Sequence, residues 1–257
     1  MSISNGVTDA AKITPQYDPD FTANVIKAIG PKASLRIAQV RRNEGQLLCD
    51  VIGLESLADE ITNKLLVGAD CEATKTAILG PFFRHDTPPT LNDTNIIKTM
   101  PEDGDVTYMH GIICDAVTSE PLKGITVDIW QCSTNDLYEQ QDPDQADYNL
   151  CGKLTTDENG YYGLYCLRSV PYPIPYDGPA GKLLQLLDRH PYRPAHIHII
   201  VNGLTGITVY AGSDNYTPLT TQIFDKTSKC LIDDSVFAVK DDLIVDFKPV
   251  HANSKPL

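Results

Sequence analysis

Basic side chains are scarce in this sequence: 21 Lys and Arg stand against 34 Asp and Glu, which leaves a formal net charge of −13. Binding to phosphate groups needs clustered Lys and Arg, so this balance argues against a nucleic-acid partner. It also argues against attachment to anionic membrane surfaces. The simplest interpretation of the excess acid is solubility. We therefore expect neither nucleic acid nor membrane among the partners.

Long hydrophobic runs and paired cysteines are also missing. No apolar run approaches the roughly 18 residues that a membrane-spanning helix requires. The first residues lack the basic and apolar regions of a signal peptide. Seven cysteines lie at irregular spacings without a CxxC pair, which predicts reduced thiols and argues against a structural zinc site. Together these absences predict a cytoplasmic protein.

The chain changes character near residue 79. Before this point the sequence favours helices, and residues 44–67 place apolar side chains three and four positions apart, as one amphipathic helix would. After it, short runs with strand character alternate with turn-rich segments. We predict a mainly β fold, with an antiparallel β-sandwich catalytic domain over residues 79–257 and a short N-terminal α-helical segment over residues 1–78.

Seven segments after residue 79 carry the strand pattern. The predicted strands are Val106–Cys114, Ile125–Gln131, Lys153–Thr156, Tyr161–Leu167, His196–Val201, Leu219–Phe224 and Val236–Val245. Asn159-Gly160 is a strong signal for a hairpin turn, so we expect the strands on either side of it to form a hairpin.

Two histidines, His196 and His198, lie two positions apart in one predicted strand. Residues i and i+2 of a strand point to the same face, so both imidazoles project toward one point and could bind a metal. Taken alone, the pair is equally compatible with two histidines in ordinary packing roles. A zinc hydrolase is another alternative, but it would need a third His or carboxylate ligand.

Two further segments carry tyrosines. Tyr172 lies in a loop with four prolines between residues 171 and 179, and because proline fixes φ, such a loop holds a side chain at one angle. Tyr138 ends a polar loop that follows the strand carrying Trp130, the only tryptophan. Considered singly, each residue has an ordinary explanation. Trp130 is typical of a core residue, Tyr138 is typical of an aromatic residue in a loop, and Tyr172 could simply be held by packing in a rigid surface connector.

The order of these motifs is more informative than any one of them. Asp-Ile-Trp-Gln leads to Tyr138 and is followed by Pro-Tyr-Pro-Ile-Pro, Arg-Pro-Ala-His-Ile-His and Leu-Thr-Thr-Gln, with Gly-Pro-Phe near residue 80. This ordered set resembles the intradiol catechol dioxygenases over about residues 44–247. The Pro-Tyr-Pro-Ile-Pro form is more similar to the hydroxyquinol and chlorocatechol branch, and the chain as a whole is similar to fungal members.

The resemblance implies a non-haem Fe(III) ion held by Tyr138, Tyr172, His196 and His198. Phenolate oxygen and imidazole nitrogen suit this hard cation better than thiolate does. The implied reaction cleaves a catechol-type ring with O2, between its two hydroxylated carbons, to a cis,cis-muconate or maleylacetate-type product. Tyr172 would also accept a substrate proton. Arg193 and Gln222 match the family's pair that stabilises developing negative charge.

The resemblance also implies a substrate pocket for the aromatic ring, lined by Leu47, Asp50, Val51, Gly80, Pro81, Phe82, Ile174 and Pro175. Asp50 is informative, because a carboxylate among apolar residues needs a hydrogen-bond donor, and the third hydroxyl of hydroxyquinol would supply one. We therefore favour hydroxyquinol over catechol or chlorocatechol. An exposed helix residue is the alternative for Asp50. A non-catalytic iron-binding β-sandwich of the same family also stays open.

Two regions depart from the family's pattern. The helical N-terminal region, which joins two subunits in relatives and can hold a lipid between them, is shorter here. Whether a homodimer forms through these helices therefore stays open, and so does lipid binding. The stretch of residues 201–218 is longer than the family's short turn. Either departure could weaken stability or activity.

Overall fold

The computed structural model describes residues 44–67, 73–202 and 218–247, with residues 64–67 described by their backbone alone. Helix α1 spans Glu44–Val51, α2 Leu54–Val67 and α3 Pro179–Leu186. The strands in this part of the chain are β1 Thr94–Asn95, β2 Val106–Ile112, β3 Thr126–Trp130, β4 Cys151–Thr155, β5 Tyr161–Leu167, β6 Tyr172–Pro173, β7 Tyr192–Arg193, β8 His196–Asn202, β9 Leu219–Asp225 and β10 Ile244–Val245.

Residues 44–67 form two helices, whereas the sequence pattern predicted one. Gly53 lies between them with φ +74°, a left-handed conformation that glycine adopts without the steric cost other residues meet. The Gly53 amide donates a hydrogen bond of 2.9 Å to the carbonyl of Asp50, which closes the end of α1. Helix α1 packs against α3, and it buries Asp50 and Val51.

The strands form two main sheets and a two-stranded ribbon. One sheet has the order β10-β9-β8-β3-β4, the second has the order β1-β5-β2, and β6 pairs with β7. All the longer pairings are antiparallel, while the short edge strands β1 and β10 pair in parallel. The prediction of a mainly β, antiparallel sandwich with a short helical segment is confirmed.

The alternation of side chains along β8 separates the core from a second buried face. Ile197 and Ile199 lie in a cluster with residues of both sheets, such as Val127 on β3 and Leu164 on β5, which is the interior of the sandwich. Successive strand residues point to opposite faces, so His196 and His198 lie on the other side of the five-stranded sheet. That face is covered by α1, α3 and the loops that pack with them.

The strand predicted over Val236–Val245 is wrong for most of its length. Only Ile244–Val245 pairs as a strand, after a single 3-10 turn over Asp241–Leu243. The carboxylate of Asp234 accepts hydrogen bonds from the amides of Val236 and Ala238, at 3.3 and 2.9 Å. These backbone donors therefore serve a side-chain-capped turn and are not available to a sheet.

The hairpin predicted at Asn159-Gly160 is also wrong. The turn itself is present, with Gly160 at φ +70°, but β4 pairs with β3 in one sheet while β5 pairs with β2 in the other. The turn therefore carries the chain from one layer of the sandwich to the next. A turn signal specifies local backbone geometry, and it does not specify which neighbour each strand pairs with.

Two predicted features lie largely outside the described residues: the N-terminal region up to residue 43 and most of the long stretch between β8 and β9. The division of the chain at residue 78 stays a prediction. None of the helices in the described ranges is long and apolar enough to cross a bilayer.

Candidate active site

His196 and His198 point to the same side of β8, with their Nε2 atoms 3.2 Å apart. The Nδ1 atom of His196 lies 2.7 Å from the carbonyl of Pro194, so it carries the proton and leaves a lone pair on Nε2. Burial lowers the pKa of both rings well below the usual value, and the charge of Arg193 lowers it further. Both imidazoles are therefore neutral near pH 7, as metal ligands must be.

The rings of Tyr138 and Tyr172 complete the group. The ring centroid of Tyr172 lies 5.4 Å from that of His196, and Tyr138 lies 5.6 Å from Tyr172 and 6.3 Å from His198. The Tyr138 hydroxyl is buried and finds no hydrogen-bond partner within the described residues. Such a group is costly, and in native proteins it usually has a partner. Its isolation here points to a ligand at this position.

The donor atoms of these four rings fit a hard cation. Burial raises the pKa of both phenols above the usual value, so neither would ionise at neutral pH without a nearby positive charge. A bound cation favours the phenolate form, and two phenolate oxygens with two imidazole nitrogens suit Fe(III).

The same surroundings argue against the zinc hydrolase. In the described ranges, the group of three His, Cys, Asp or Glu side chains close enough to share a metal is His190, Cys230 and Asp233. Neither histidine of β8 belongs to it, so the His196–His198 pair lacks the third ligand that a zinc hydrolase needs.

Arg193 and Gln222 lie beside the histidines because of strand register. Gln222 is opposite His198 in the β8–β9 pairing, and Arg193 is opposite Tyr172 in the β6–β7 ribbon. The guanidinium donates from Nη2 to Gln222 Oε1 at 2.7 Å, and its Nη1 lies 2.9 Å from Nε2 of His196. Asp234 faces its Nε at 3.4 Å. A fully buried cation is thus fixed at the edge of the four-ring group.

Two consecutive phenylalanines support the rings from outside. Phe82 stacks on Tyr138 with ring centroids 4.3 Å apart. Phe83 packs against Trp130 at 5.0 Å, and Trp130 stacks in turn on His198 at 4.7 Å with the planes 9° apart. Trp130 is buried, as the sequence suggested, but its ring lies flat against a candidate ligand. Such contacts restrict how the ligand rings can turn.

Gly80 precedes this segment and lies directly over His198. Its φ is +72°, and a Cβ atom on it would lie 3.2 Å from Cε1 of the imidazole. Any larger residue would therefore be strained and would press on the ring.

The loop that carries Tyr138 is held by the same segment. Arg84 forms an ion pair with the buried carboxylate of Glu139, at 2.9 Å, and the side chain of Gln140 donates to the carbonyl of Phe82 at 2.8 Å. With the stacking of Phe82 on Tyr138, three contacts join residues 82–84 to residues 138–140. We infer that this connection positions Tyr138.

An Arg84→Met substitution tests this connection. It leaves the Glu139 carboxylate buried without a cation, so we expect a loss of about 1–3 kcal/mol in the free energy of unfolding and weaker metal retention. Urea denaturation and the metal content after dialysis would measure both. Lys123→Met, which removes an exposed ion pair with Glu158, is the matched control and should change neither. Equal behaviour of the two variants would contradict the role given to Arg84.

A cavity of about 690 Å³ opens beside the four rings. Its walls include seven of the eight residues expected to contact substrate: Leu47, Asp50, Gly80, Pro81, Phe82, Ile174 and Pro175. Val51, the eighth, is buried in the core and is not part of the wall. Tyr172 and Arg193 also face this cavity, so it adjoins the candidate ligands.

Several residues of the cavity wall were not expected from the sequence, among them Gln46, Asp136 and Tyr176. Gln46 lies four positions before Asp50 on α1, so the two share a helix face, and the helical pattern alone could have suggested it. Asp136 has φ +67° in the loop before Tyr138, a conformation that no sequence pattern indicated.

Comparison with known proteins agrees with the motif order. A family profile described as Dioxygenase matches residues 78–256, well over half of the chain, which makes the protein a dioxygenase by class. The chain is 39% identical to the intradiol ring-cleavage dioxygenase prcA of Aspergillus niger, over 91% of this chain and 83% of that protein. It is 43% identical to the catechol 1,2-dioxygenase of Candida albicans, over 86% and 70%.

Solved structures give the same result. The hydroxyquinol 1,2-dioxygenase of Pseudomonas putida DLL-E4 superposes with a TM-score of 0.74 at 31% identity, covering 91% of this chain and 75% of that one. The chain belongs to the intradiol ring-cleavage dioxygenase family. The predicted resemblance and the prediction of an enzyme are both confirmed.

Proposed function

We propose that this enzyme binds one Fe(III) ion through Tyr138, Tyr172, His196 and His198 and cleaves a catechol-type ring with O2 between its two hydroxylated carbons. The observation that carries the proposal is the convergence of four buried rings on one point, with the Tyr138 hydroxyl lacking any other partner in the described chain. The ferric ion, when bound, supplies a Lewis acid that activates the diol toward O2.

The side chains around the cavity define what the protein itself contributes. Tyr172 faces both the cavity and Arg193, and the charge of Arg193 opposes the rise that burial causes in the pKa of this phenol. As a phenolate, the form that a bound cation favours, Tyr172 would be suited to accept a proton from a substrate hydroxyl. The fixed guanidinium of Arg193 stabilises negative charge that develops on the ring substituents. Leu47 and Ile174 present apolar surface to the ring and exclude water.

The proposal is tested by metal analysis together with oxygen uptake. We expect one iron per chain, a coloured protein from tyrosinate-to-iron charge transfer, and oxygen consumption when hydroxyquinol, catechol or a chlorocatechol is added. A protein that binds iron but consumes no oxygen with any of these diols would be the non-catalytic sandwich of the same family. A colourless protein loaded with iron would contradict the ligand assignment.

Hydroxyquinol is the substrate that we favour, because of Asp50. This residue lies on the cavity wall, is only 6% exposed, and has a buried Oδ1 without a hydrogen-bond partner among the described residues. Burial, followed by the neighbouring Glu55, raises the pKa of Asp50 to about 8. A substrate with a third ring hydroxyl would satisfy the orphan oxygen, whereas catechol and chlorocatechol would leave it unpaired.

Replacing Asp50 by Ala should lower the ratio of kcat/KM for hydroxyquinol to that for catechol by about tenfold, the value of one hydrogen bond. The ratio in the wild type should rise as the pH increases through about 8, because the carboxylate accepts a hydroxyl proton more strongly than the acid does. Asp50→Asn, which cannot ionise, should show a flat ratio. Steady-state oxygen uptake with both diols between pH 7 and 9 measures this. An unchanged ratio in Asp50→Ala would remove hydroxyquinol as the preferred substrate.

A homodimer through the helical segment also belongs to this proposal. Three leucine and isoleucine side chains on α2, those of Leu54, Leu57 and Ile61, are about half exposed, as is Ile52 in the turn before this helix. A second copy of the chain could cover this apolar surface. Dimerisation and a cytoplasmic location stay predictions.

A further inference from the structure

A second set of metal-binding side chains lies outside the four-ring site. His190, Cys230 and Asp233 bring a nitrogen, a sulfur and an oxygen to within 4.8 Å of one another, and His190 Nε2 is 3.0 Å from Asp233 Oδ2. His190 and Cys230 are half-buried while Asp233 is exposed, so an ion could reach them from solvent. All three atom types ligate zinc, and the thiolate selects soft ions.

We propose that His190, Cys230 and Asp233 form a binding site for a thiophilic divalent cation such as zinc, and that filling it inhibits the enzyme. Three protein ligands leave a coordination position for water, as in open zinc sites. The binding part of this proposal is independent of the reaction, whereas the inhibition rests on the proposed function of Arg193.

The cluster is joined to Arg193 through two adjacent segments of the chain. The amide of Ser235 donates to the carbonyl of Tyr192 at 3.2 Å, and Asp234 holds the guanidinium of Arg193. These contacts lead from His190 and Asp233, at the outer end near solvent, to the guanidinium of Arg193. At this inner end the guanidinium lies beside His196 and Gln222. A change at the outer end therefore reaches the active site through few contacts.

The protonation of His190 explains why metal binding would move this connection. The Tyr192 amide donates to Nδ1 of His190 at 3.1 Å, so the proton of the neutral ring is on Nε2, which faces Asp233. A metal bound at Nε2 requires the proton on Nδ1 instead. The Tyr192 amide then loses its acceptor, and the backbone next to Arg193 must shift.

Metal binding at this site is coupled to the loss of a proton from the Cys230 thiol. Binding converts the Cys230 thiol to thiolate and releases its proton to solvent. Burial and the charge of Asp233 raise the pKa of that thiol, so binding should tighten as the pH rises.

Titration of the iron-loaded enzyme with Cd²⁺, a spectroscopic substitute for zinc, tests both parts. We expect an ultraviolet thiolate-to-cadmium charge-transfer band that saturates at one equivalent, together with loss of oxygen uptake. Cys230→Ser should abolish the band, and Asp233→Asn should raise the Cd²⁺ concentration for half-saturation by at least about tenfold. Cys114→Ser, which removes an exposed thiol elsewhere, is the matched control and should behave like the wild type.

The three possible failures are distinguishable. A band that persists in Cys230→Ser, or disappears in Cys114→Ser, would overturn the site. Inhibition by Cd²⁺ that persists in Cys230→Ser after the band has gone would overturn the inhibitory connection, because the ion would then act elsewhere. An enzyme that consumed no oxygen with any diol would contradict the proposed function, while the band would still report on the metal site.

Discussion

Tyr138→Phe protein should fold, but it should lose most of its colour, and its activity should fall by at least about a hundredfold. Replacing groups that merely support a metal ligand costs 10–100-fold, so removing a ligand costs at least as much. The substitution deletes one oxygen and keeps the ring that stacks on Phe82. Because the Tyr138 hydroxyl is buried without a partner in the described chain, the metal-free variant should be as stable as the metal-free wild type or slightly more stable.

Visible spectroscopy, iron analysis and thermal melts with and without iron measure these effects together. Iron should raise the Tm of the wild type, because a ligand that binds only the folded state stabilises it, and it should raise that of Tyr138→Phe less. Tyr162→Phe, a buried tyrosine in the interior of the sandwich, is the control that should keep its colour. If Tyr138→Phe stayed as coloured as this control, Tyr138 would not be an iron ligand.

The parts of the fold that could be predicted from sequence are those with local causes. Strand β5 runs over Tyr161–Leu167 as predicted, because alternation along one strand depends only on which face is buried. The pairing of β5 could not be predicted in this way. The five residues between β4 and β5 carry the chain to the sheet that contains β2, and that choice depends on packing between distant segments.

The break at Gly53 could have been predicted from the sequence, whereas the turn after Asp234 could not. The glycine is visible inside the helical pattern, and a left-handed end to α1 could have been inferred from it. The turn depends on the Asp234 carboxylate, which accepts two backbone amides and also faces Arg193. A buried side chain that accepts from its own turn and from a segment about forty residues away leaves no periodic signal in the sequence.

For the candidate site, the two histidines follow from strand geometry alone, because positions 196 and 198 must share a face. Tyr138 lies in a loop and Tyr172 in a strand of two residues, both too irregular for periodicity to specify direction, and only the family's motif order identified them. The supporting residues were largely missed. Arg84 and Phe83 support Tyr138 and Trp130 through contacts between segments about fifty residues apart, which cannot be seen in the sequence.

Arg193→Met should lower kcat by about 10²–10³-fold while iron and colour are retained, because the guanidinium stabilises charge during the reaction and is not a ligand. Its Nη1 and Nη2 atoms face His196 and Gln222 at 2.9 and 2.7 Å, and the side chain is buried. A loss confined to kcat would show that the interaction acts mainly in the transition state, whereas a rise in KM alone would show substrate binding.

The design of this experiment must separate catalysis from folding, because Met at position 193 leaves Asp234 buried without its cation. The double variant Arg193→Met/Asp234→Asn removes that unpaired charge but keeps one of the two oxygens that accept the turn amides, so it should recover part of the stability and none of the activity. Arg193→Lys keeps the charge without the planar fork, and an intermediate kcat is expected from it. Single-turnover oxygen uptake and urea denaturation of all three proteins provide the measurements. Recovery of activity in the double variant would mean that Arg193 stabilises the fold around the cavity and takes no part in the reaction.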